Sequence, residues 1–192
     1  MVKMLAEKYD GICCGENYHD ILMDAINVES QPNLSYFDTM KDWQEFVNRT
    51  PEEYDSWISG CSEEASDLEI IRLIQLADCG KRIFVDTNIS TDKLLEISDY
   101  HHVAIMLAPQ SISIERFFDR EDKEKQFILE QIQKAVNPEK TMQNYKECLA
   151  KVNSAEKYHA FENSGFFTLV RNDERTLEQT LEILEEHFNL KM

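Results

Sequence analysis

Lys81-Arg82-Ile83-Phe84-Val85-Asp86-Thr87-Asn88-Ile89-Ser90 decides how the rest of the chain is read. Ile83, Phe84 and Val85 make an unbroken apolar run, β-branched or aromatic throughout and too short for a helix. A run without alternation is the pattern of a strand buried on both faces, as in a parallel sheet. It stops at three polar side chains, Asp86, Thr87 and Asn88, where such a strand leaves the core. In open α/β sheets ligands bind beyond the carboxyl ends of the strands. A carboxylate there has a use, either to hold a hydrated cation or to orient a hydroxyl. The competing reading is a capping aspartate that closes the turn before a helix beginning near Ser90.

Outward from this stretch, strands alternate with helices. Upstream, Val2 to Tyr9 reads as a helix stopped by Asp10-Gly11. Ile12-Cys13-Cys14 then reads as a short apolar strand, with Gly15-Glu16-Asn17-Tyr18-His19 as its strand-end loop. A helix is predicted over 17–27, with Ile21, Leu22 and Ala25 inward. Residues 31–79 read as a helical insertion, an enlarged crossover or lid, with Trp43, Phe46 and Val47 on one face, helices carrying Tyr54, Trp57, Leu68, Ile71 and Ile74, and Trp43, Phe46, Tyr54 and Trp57 as its core. Its clearest signal is Thr50-Pro51-Glu52-Glu53: a threonine cap, proline in the first turn and glutamate closing the capping box. Gly80 is placed as the C-terminal stop. Downstream come a helix near Thr91 to Ser98 and the apolar run Val103 to Leu107, ended by Pro109. Residues 111–135 read as helical, with a charge-dense break at Asp119 to Lys123. Asn137-Pro138 opens another helix, Gly165 to Val170 is a last strand, and Leu177, Leu181, Leu184 and Phe188 stripe one face of a closing helix. The alternation predicts one α/β domain over 1–192, a doubly wound parallel sheet carrying the insertion.

With 192 residues the chain is long enough to bury a full core. Its 20 basic and 37 acidic residues leave a net charge of −17. Such a surface repels phosphate backbones and anionic membranes, so neither nucleic acid nor a membrane is expected as a partner. No apolar run approaches the length of a membrane span, and no charged-then-apolar leader is evident. The five cysteines are odd in number and form no C-x-x-C pair, so reduced thiols in a cytoplasmic protein are expected. Cys13 and Cys14 are strand neighbours that point to opposite faces and cannot chelate together. His101-His102 lacks the spaced partners of a zinc site, and no metal site is expected.

The order of these elements resembles that of the P-loop small-molecule kinases of the nucleoside, nucleotide and shikimate kinase type, over nearly the whole chain. The residues carrying the resemblance are the helix running into Ile12-Cys13-Cys14-Gly15-Glu16-Asn17, the helical insertion, and Ile83-Phe84-Val85-Asp86-Thr87-Asn88. Glu115-Arg116-Phe117-Phe118-Asp119-Arg120-Glu121-Asp122 is similar to the arginine-bearing lid of that family. The resemblance implies transfer of the γ-phosphoryl of ATP, with Mg²⁺, to a small hydroxyl- or phosphate-bearing acceptor. It implies Asp86 for the metal or acceptor, Arg116 and Arg120 for the transition state, and Glu16, Asn17 and Asn88 for the acceptor. Arg171, with Arg175, falls where family members hold the adenine. Read without the family, Arg116 and Arg120 are neutralised by Glu115, Asp119, Glu121 and Asp122 on a solvated helix, and Asn17 is an N-cap.

The chain departs from the family at one motif. G-x-x-x-x-G-K-[ST] supplies the backbone cradle, the phosphate lysine and the magnesium-binding hydroxyl. None of the five glycines, Gly11, Gly15, Gly60, Gly80 and Gly165, has that spacing. The sequence resembles a family member that begins inside its first helix, so this chain is expected to be inactive and to take no cofactor. In the family's sheet the strand before the cradle lies between the counterparts of Ile83–Asp86 and Val103–Leu107. At ~4.8 Å between strands, its lack leaves a gap of about twice that width. Those two strands are therefore expected to close up and pair, or another segment or chain fills the slot, a homodimer being one way to cover the incomplete sheet. The alternative function is a non-catalytic binding or assembly module on a degenerate kinase fold.

Overall fold

The computed structural model describes residues 1–109, 114, 117–118, 122–171 and 174–191. Its elements run α1 (Val2–Lys8), β1 (Ile12–Cys14), a 3₁₀ helix (Tyr18–Ala25), α2 (Tyr36–Thr39), α3 (Trp43–Val47), α4 (Pro51–Leu76), β2 (Ile83–Val85) and α5 (Thr91–Ile97). After a 3₁₀ turn (Tyr100–His102) come β3 (Ala104–Leu107), α6 (Lys123–Gln133), α7 (Pro138–Val152), α8 (Ala155–Glu162), β4 (Phe167–Val170) and α9 (Leu177–His187). The fold is mixed α/β and mostly helical, as the alternation requires.

Local chemistry sets the boundaries. Thr50 and Glu53 form the full capping box at the start of α4, the Thr50 hydroxyl receiving Glu53 N while the Glu53 carboxylate receives Thr50 N. Ser90 caps α5 by accepting from Lys93 N, so the helix after β2 is closed by serine and not by Asp86. Gly80 has φ +71°, a left-handed position that only glycine occupies without strain, and it ends the turn after α4. Asn17 is also left-handed, at φ 61°, and its side chain caps nothing. The segment after it winds as 3₁₀, and the shorter period rotates the buried face. His19 is buried, whereas Ile21 is 64% exposed and Ala25 is exposed, against the inward placement read from a 3.6-residue period.

The helical segment supplies most of the core. Phe46, Val47, Tyr54, Ile132, Tyr145, Cys148 and Leu149 are all buried together, joining α3 and α4 to α6 and α7. Each such side chain removed from water stabilises the fold by about 1.5–3 kcal/mol. Tyr54 and Tyr145 share a hydroxyl–hydroxyl hydrogen bond of 3.1 Å inside this core, so neither buried phenol is orphaned. The Arg49 guanidinium lies 3.8 Å above the Tyr36 ring and 5.3 Å from Trp57, a cation–π contact at the edge of the cluster. Ile71 and Ile74, in the last turns of α4, are exposed and outside this core.

The strands form two separate parallel pairs. In one, Ile12, Cys13 and Cys14 align with Ile83, Phe84 and Val85. In the other, Ala104, Ile105, Met106 and Leu107 align with Phe167, Thr168, Leu169 and Val170. A single continuous sheet is thus absent among the described residues, and β2 and β3 have not closed up to pair with each other. Helix α9 touches both pairs. Leu181 joins Leu5, Ala6 and Phe84 in a second core. Two turns further along, His187 donates from Nε2 to Val103 O at 2.9 Å, and its ring stacks on Phe167 at 4.2 Å. The two pairs are pinned at different points along one rigid helix.

Candidate functional site at the carboxyl ends of β1 and β2

A buried carboxylate organises the strand ends. Glu69 lies in α4, on the buried stripe that also holds Ala65, Ser66 and Leu68, and it is fully buried. Its Oε2 accepts from the Thr87 hydroxyl at 2.6 Å and from Asn88 N at 2.8 Å. Its Oε1 accepts from Asn88 Nδ2 at 2.8 Å and lies 3.1 Å from His19 Nδ1. A carboxylate only accepts, so the His19 proton on this side sits on Nδ1. Four donors from two strand ends thus converge on one side chain of the insertion. A charge buried in this way is tolerated because its lone pairs are filled.

The ladder explains why these donors arrive together. Asp86 N donates to Cys14 O at 2.8 Å, which carries the β1–β2 pairing one residue past the strand. The chain then turns, with Ile89 N donating to the Thr87 hydroxyl at 3.1 Å, and delivers Thr87 and Asn88 to Glu69. On the β1 side, Tyr18 N bonds back to Gly15 O at 3.1 Å and Asp20 N to Asn17 O at 2.9 Å. Those bonds place His19 against Glu69. The Tyr18 hydroxyl is buried beside Thr87 and Glu69 without a well-aligned hydrogen bond, and burial raises its pKa. Burial likewise raises the Cys14 thiol, partly opposed by the nearby Arg72 guanidinium, which stands one turn beyond Glu69 on α4. The Arg72 guanidinium itself donates to Gln75 Oε1 at 3.1 Å.

Of the residues singled out in the sequence, Asn88 is built into this cluster. Asp86 stands at its rim with an exposed side chain, and among the described residues no hydrogen bond or ion pair engages its carboxylate. Glu16 and Asn17 are exposed on the adjoining turn. Arg171 sits elsewhere, beyond the second pair, where its backbone N–H donates to Leu107 O at 2.7 Å. Arg116 and Arg120 lie outside the described residues. The residues that sequence reasoning missed are Glu69, His19, Thr87, Tyr18 and Arg72. Glu69 left one trace, a carboxylate between Leu68 and Ile70 on the apolar stripe of a helix.

The loop after β1 does not have the form of a phosphate cradle. Phosphate cradles need several backbone N–H groups free to point at one anion. In the loop after β1 these groups turn back onto the loop's own carbonyls, as the Tyr18 and Asp20 bonds show. No group of three or more histidine, cysteine, aspartate or glutamate side chains is placed to hold a metal among the described residues. The five thiols are all free; Cys13 is exposed and Cys14 buried, on opposite faces of β1. No helix is long and apolar enough to cross a membrane among the described residues. No protein-family model, curated protein or solved structure matches the chain.

Proposed function

We propose that this chain has the fold of a P-loop small-molecule kinase without the nucleotide cradle, and that the crevice beyond β1 and β2 is its acceptor pocket. The observation that carries the reading is the strand order. Among the described residues two parallel pairs, β1 with β2 and β3 with β4, leave β2 and β3 unpaired with each other; they have not closed up, but the pairing within each is that of the family's sheet without the strand before its cradle. Within the pocket Glu69 is a positioning residue, saturated by Thr87, Asn88 and His19 and holding them in place. The Asn88 amide oxygen and the Asp86 carboxylate are then available to receive hydroxyl hydrogens of an acceptor, with Arg72 near a phosphate it carries. Arg116, Arg120 and Arg171 match positions that serve the transferred phosphoryl group and the adenine in intact family members, roles this chain does not perform without the cradle. The chain alone does not transfer phosphate, because scattered side chains cannot replace a cradle of backbone donors.

A thermal-shift screen of small polyols, nucleosides and their monophosphates tests this reading. At least one acceptor is expected to raise the melting temperature of the wild-type chain, and to lose that effect in Asn88→Ala. Mg·ATP alone is expected to do nothing. Stabilisation by Mg·ATP at micromolar concentration, or by no acceptor at all, contradicts the proposal. The second reading, a non-catalytic assembly module on the same degenerate fold, is favoured by the open strand edges and by Met106, 50% exposed in the middle of β3.

A further inference from the structure

We infer that the outer ring nitrogen of His19 and the carboxylate of Asp20 form a pair of open acceptors that receives two neighbouring hydroxyl groups, so that the molecule taken at the strand ends is a vicinal diol. The inference rests on the crevice beyond β1 and β2 being an acceptor pocket, and it names the chemistry that this pocket takes.

Glu69 fixes where the protons are. Its Oε1 only accepts and lies 3.1 Å from His19 Nδ1, so that nitrogen carries a proton. In the neutral ring the other nitrogen, Nε2, then holds a bare lone pair. No donor reaches Nε2 among the described residues. The nitrogen is not sealed from water either. The Tyr18 hydroxyl belongs to the side-chain atoms that are buried without a hydrogen bond, and His19 Nε2 does not. His19 is only 5% exposed, and the part of it that meets solvent includes this atom.

Asp20 supplies the second acceptor. Its Oδ1 lies 3.8 Å from His19 Nε2, too far for a hydrogen bond and close enough for one small molecule to reach both. The Asp20 side chain is 69% exposed, and no lysine or arginine pairs with it among the described residues. Asp20 N donates to Asn17 O at 2.9 Å and the 3₁₀ helix packs on α4, so both side chains stand on one braced segment. Two adjacent acceptors oppose a phosphate or carboxylate oxygen and call for donors. One hydroxyl has a single hydrogen and satisfies one of them; hydroxyls on neighbouring carbons satisfy both. A site built to receive hydroxyl hydrogens rejects an analogue that lacks them, because its own acceptors are left unpaired.

His19 also has a purely structural use, as one of the four donors that fill Glu69. The two amide side chains separate that use from ligand binding. Asparagine sets its NH₂ group where Nδ1 stands, so it keeps the donor to Glu69 and lacks the outer acceptor. Glutamine carries its amide out to the position of Nε2.

Imidazole nitrogen spectra of the labelled full chain at pH 8, with affinities and melting temperatures of variants, test the inference. The probes are methyl riboside and methyl mannoside, each a cis-diol. Each is set beside its acetonide, the acetal that removes both hydroxyl hydrogens and leaves the oxygens. In the free chain the His19 proton is expected on Nδ1 and not on Nε2. At least one diol is expected to shift the Nε2 signal saturably with the proton still on Nδ1, and its acetonide to bind at least about tenfold more weakly. His19→Asn is expected to melt within a few degrees of wild type yet to lose about tenfold in diol affinity, and His19→Gln to recover part of it. Asp20→Ala changes an exposed side chain, so it is expected to leave the melting temperature alone and weaken the diol several-fold, which keeps the test open if His19→Asn does not fold. A proton on Nε2 in the free chain overturns the inference. So do an acetonide that binds as well as its diol, a saturable response to methylammonium in place of the diols, and diol binding undiminished in His19→Asn and Asp20→Ala. If that undiminished binding is lost in Asn88→Ala, the acceptor pocket stands and the diol pair alone falls. If neither diol binds while the wider acceptor screen succeeds, the pair alone again falls; if that screen also fails, the pocket falls with it.

Discussion

Replacing Glu69 with glutamine keeps the volume of the side chain and changes what it can accept. The carboxylate receives Thr87 Oγ1, Asn88 N, Asn88 Nδ2 and His19 Nδ1 at 2.6–3.1 Å. Glutamine keeps one oxygen and sets an NH₂ group where the other stood, so two of the four donors face a donor. A buried donor left unmade costs about 1–3 kcal/mol. Thr87 and Asn88 are only partly buried, so water recovers a portion of that at the crevice rim. The expected loss is about 2–4 kcal/mol, at the high end for a single substitution. In a chain of this length each kcal/mol moves the midpoint by about 2–4 °C, which gives a fall of roughly 5–15 °C. Urea and thermal unfolding followed by far-ultraviolet circular dichroism measure it, with exposed Glu96→Gln as the reference. A double-mutant cycle with Thr87→Val is expected to show coupling of about 1 kcal/mol, because the two side chains share one bond. A Glu69→Gln loss below about 0.5 kcal/mol, the range of ordinary surface changes, refutes the view that this carboxylate organises the site.

Gly60→Ala, in the middle of α4, ordinarily gains about 1 kcal/mol of helix propensity; here the added methyl collides with the Asn33 side chain, and chemical denaturation is expected to show a net loss. Alkylation by iodoacetamide at pH 8, mapped by mass spectrometry, is expected at exposed Cys13 and Cys79 and not at Cys61 or Cys148. Burial pushes those last two thiols up to about 12 and about 11, so little thiolate is present. Glu185, fully buried in α9, pairs with Lys8 and lies 3.6 Å from Lys191, and the Lys8 ammonium holds its carboxyl below the usual range. A carboxyl depressed on folding stabilises the native state above the unfolded glutamate range near ~4.3. That contribution is lost as pH falls through the lower folded value, so the melting temperature of wild type is expected to drop with acid more steeply than that of Glu185→Gln.

The apolar runs were legible as strands, but not as strands buried on both faces: of their residues only Cys14, Phe84 and Leu169 are buried. Ile12-Cys13-Cys14, Ile83-Phe84-Val85 and Ala104 to Leu107 are strands as read, and Thr50 with Glu53 starts α4 as read. The direct pairing of β2 with β3 that was expected does not occur among the described residues. The site was half legible. Asp86, Asn88, Glu16 and Asn17 could be placed at strand ends, since strand ends are marked by the polar residues that follow apolar runs. Glu69 could not, because a glutamate within a helix reads as a solvated charge until tertiary structure closes over it. Ile21 and Ala25 were placed inward wrongly because left-handed Asn17 leads into a 3₁₀ helix, and a period of three rotates the inward face. Asp86 is not the cap of α5; the cap is Ser90, which leaves the aspartate for the crevice.

The account turns on a crevice at the carboxyl ends of β1 and β2 that binds an acceptor in a chain unable to grip ATP. Amide and imidazole spectra of the labelled chain, recorded first with the acceptor found by screening and then with Mg·ATP, test it most directly. The acceptor is expected to move the Asn88 side-chain amide and the His19 ring signals together, and Mg·ATP to move neither. A saturable response of those signals to Mg·ATP at micromolar concentration, or an acceptor whose binding leaves both unmoved, would contradict it.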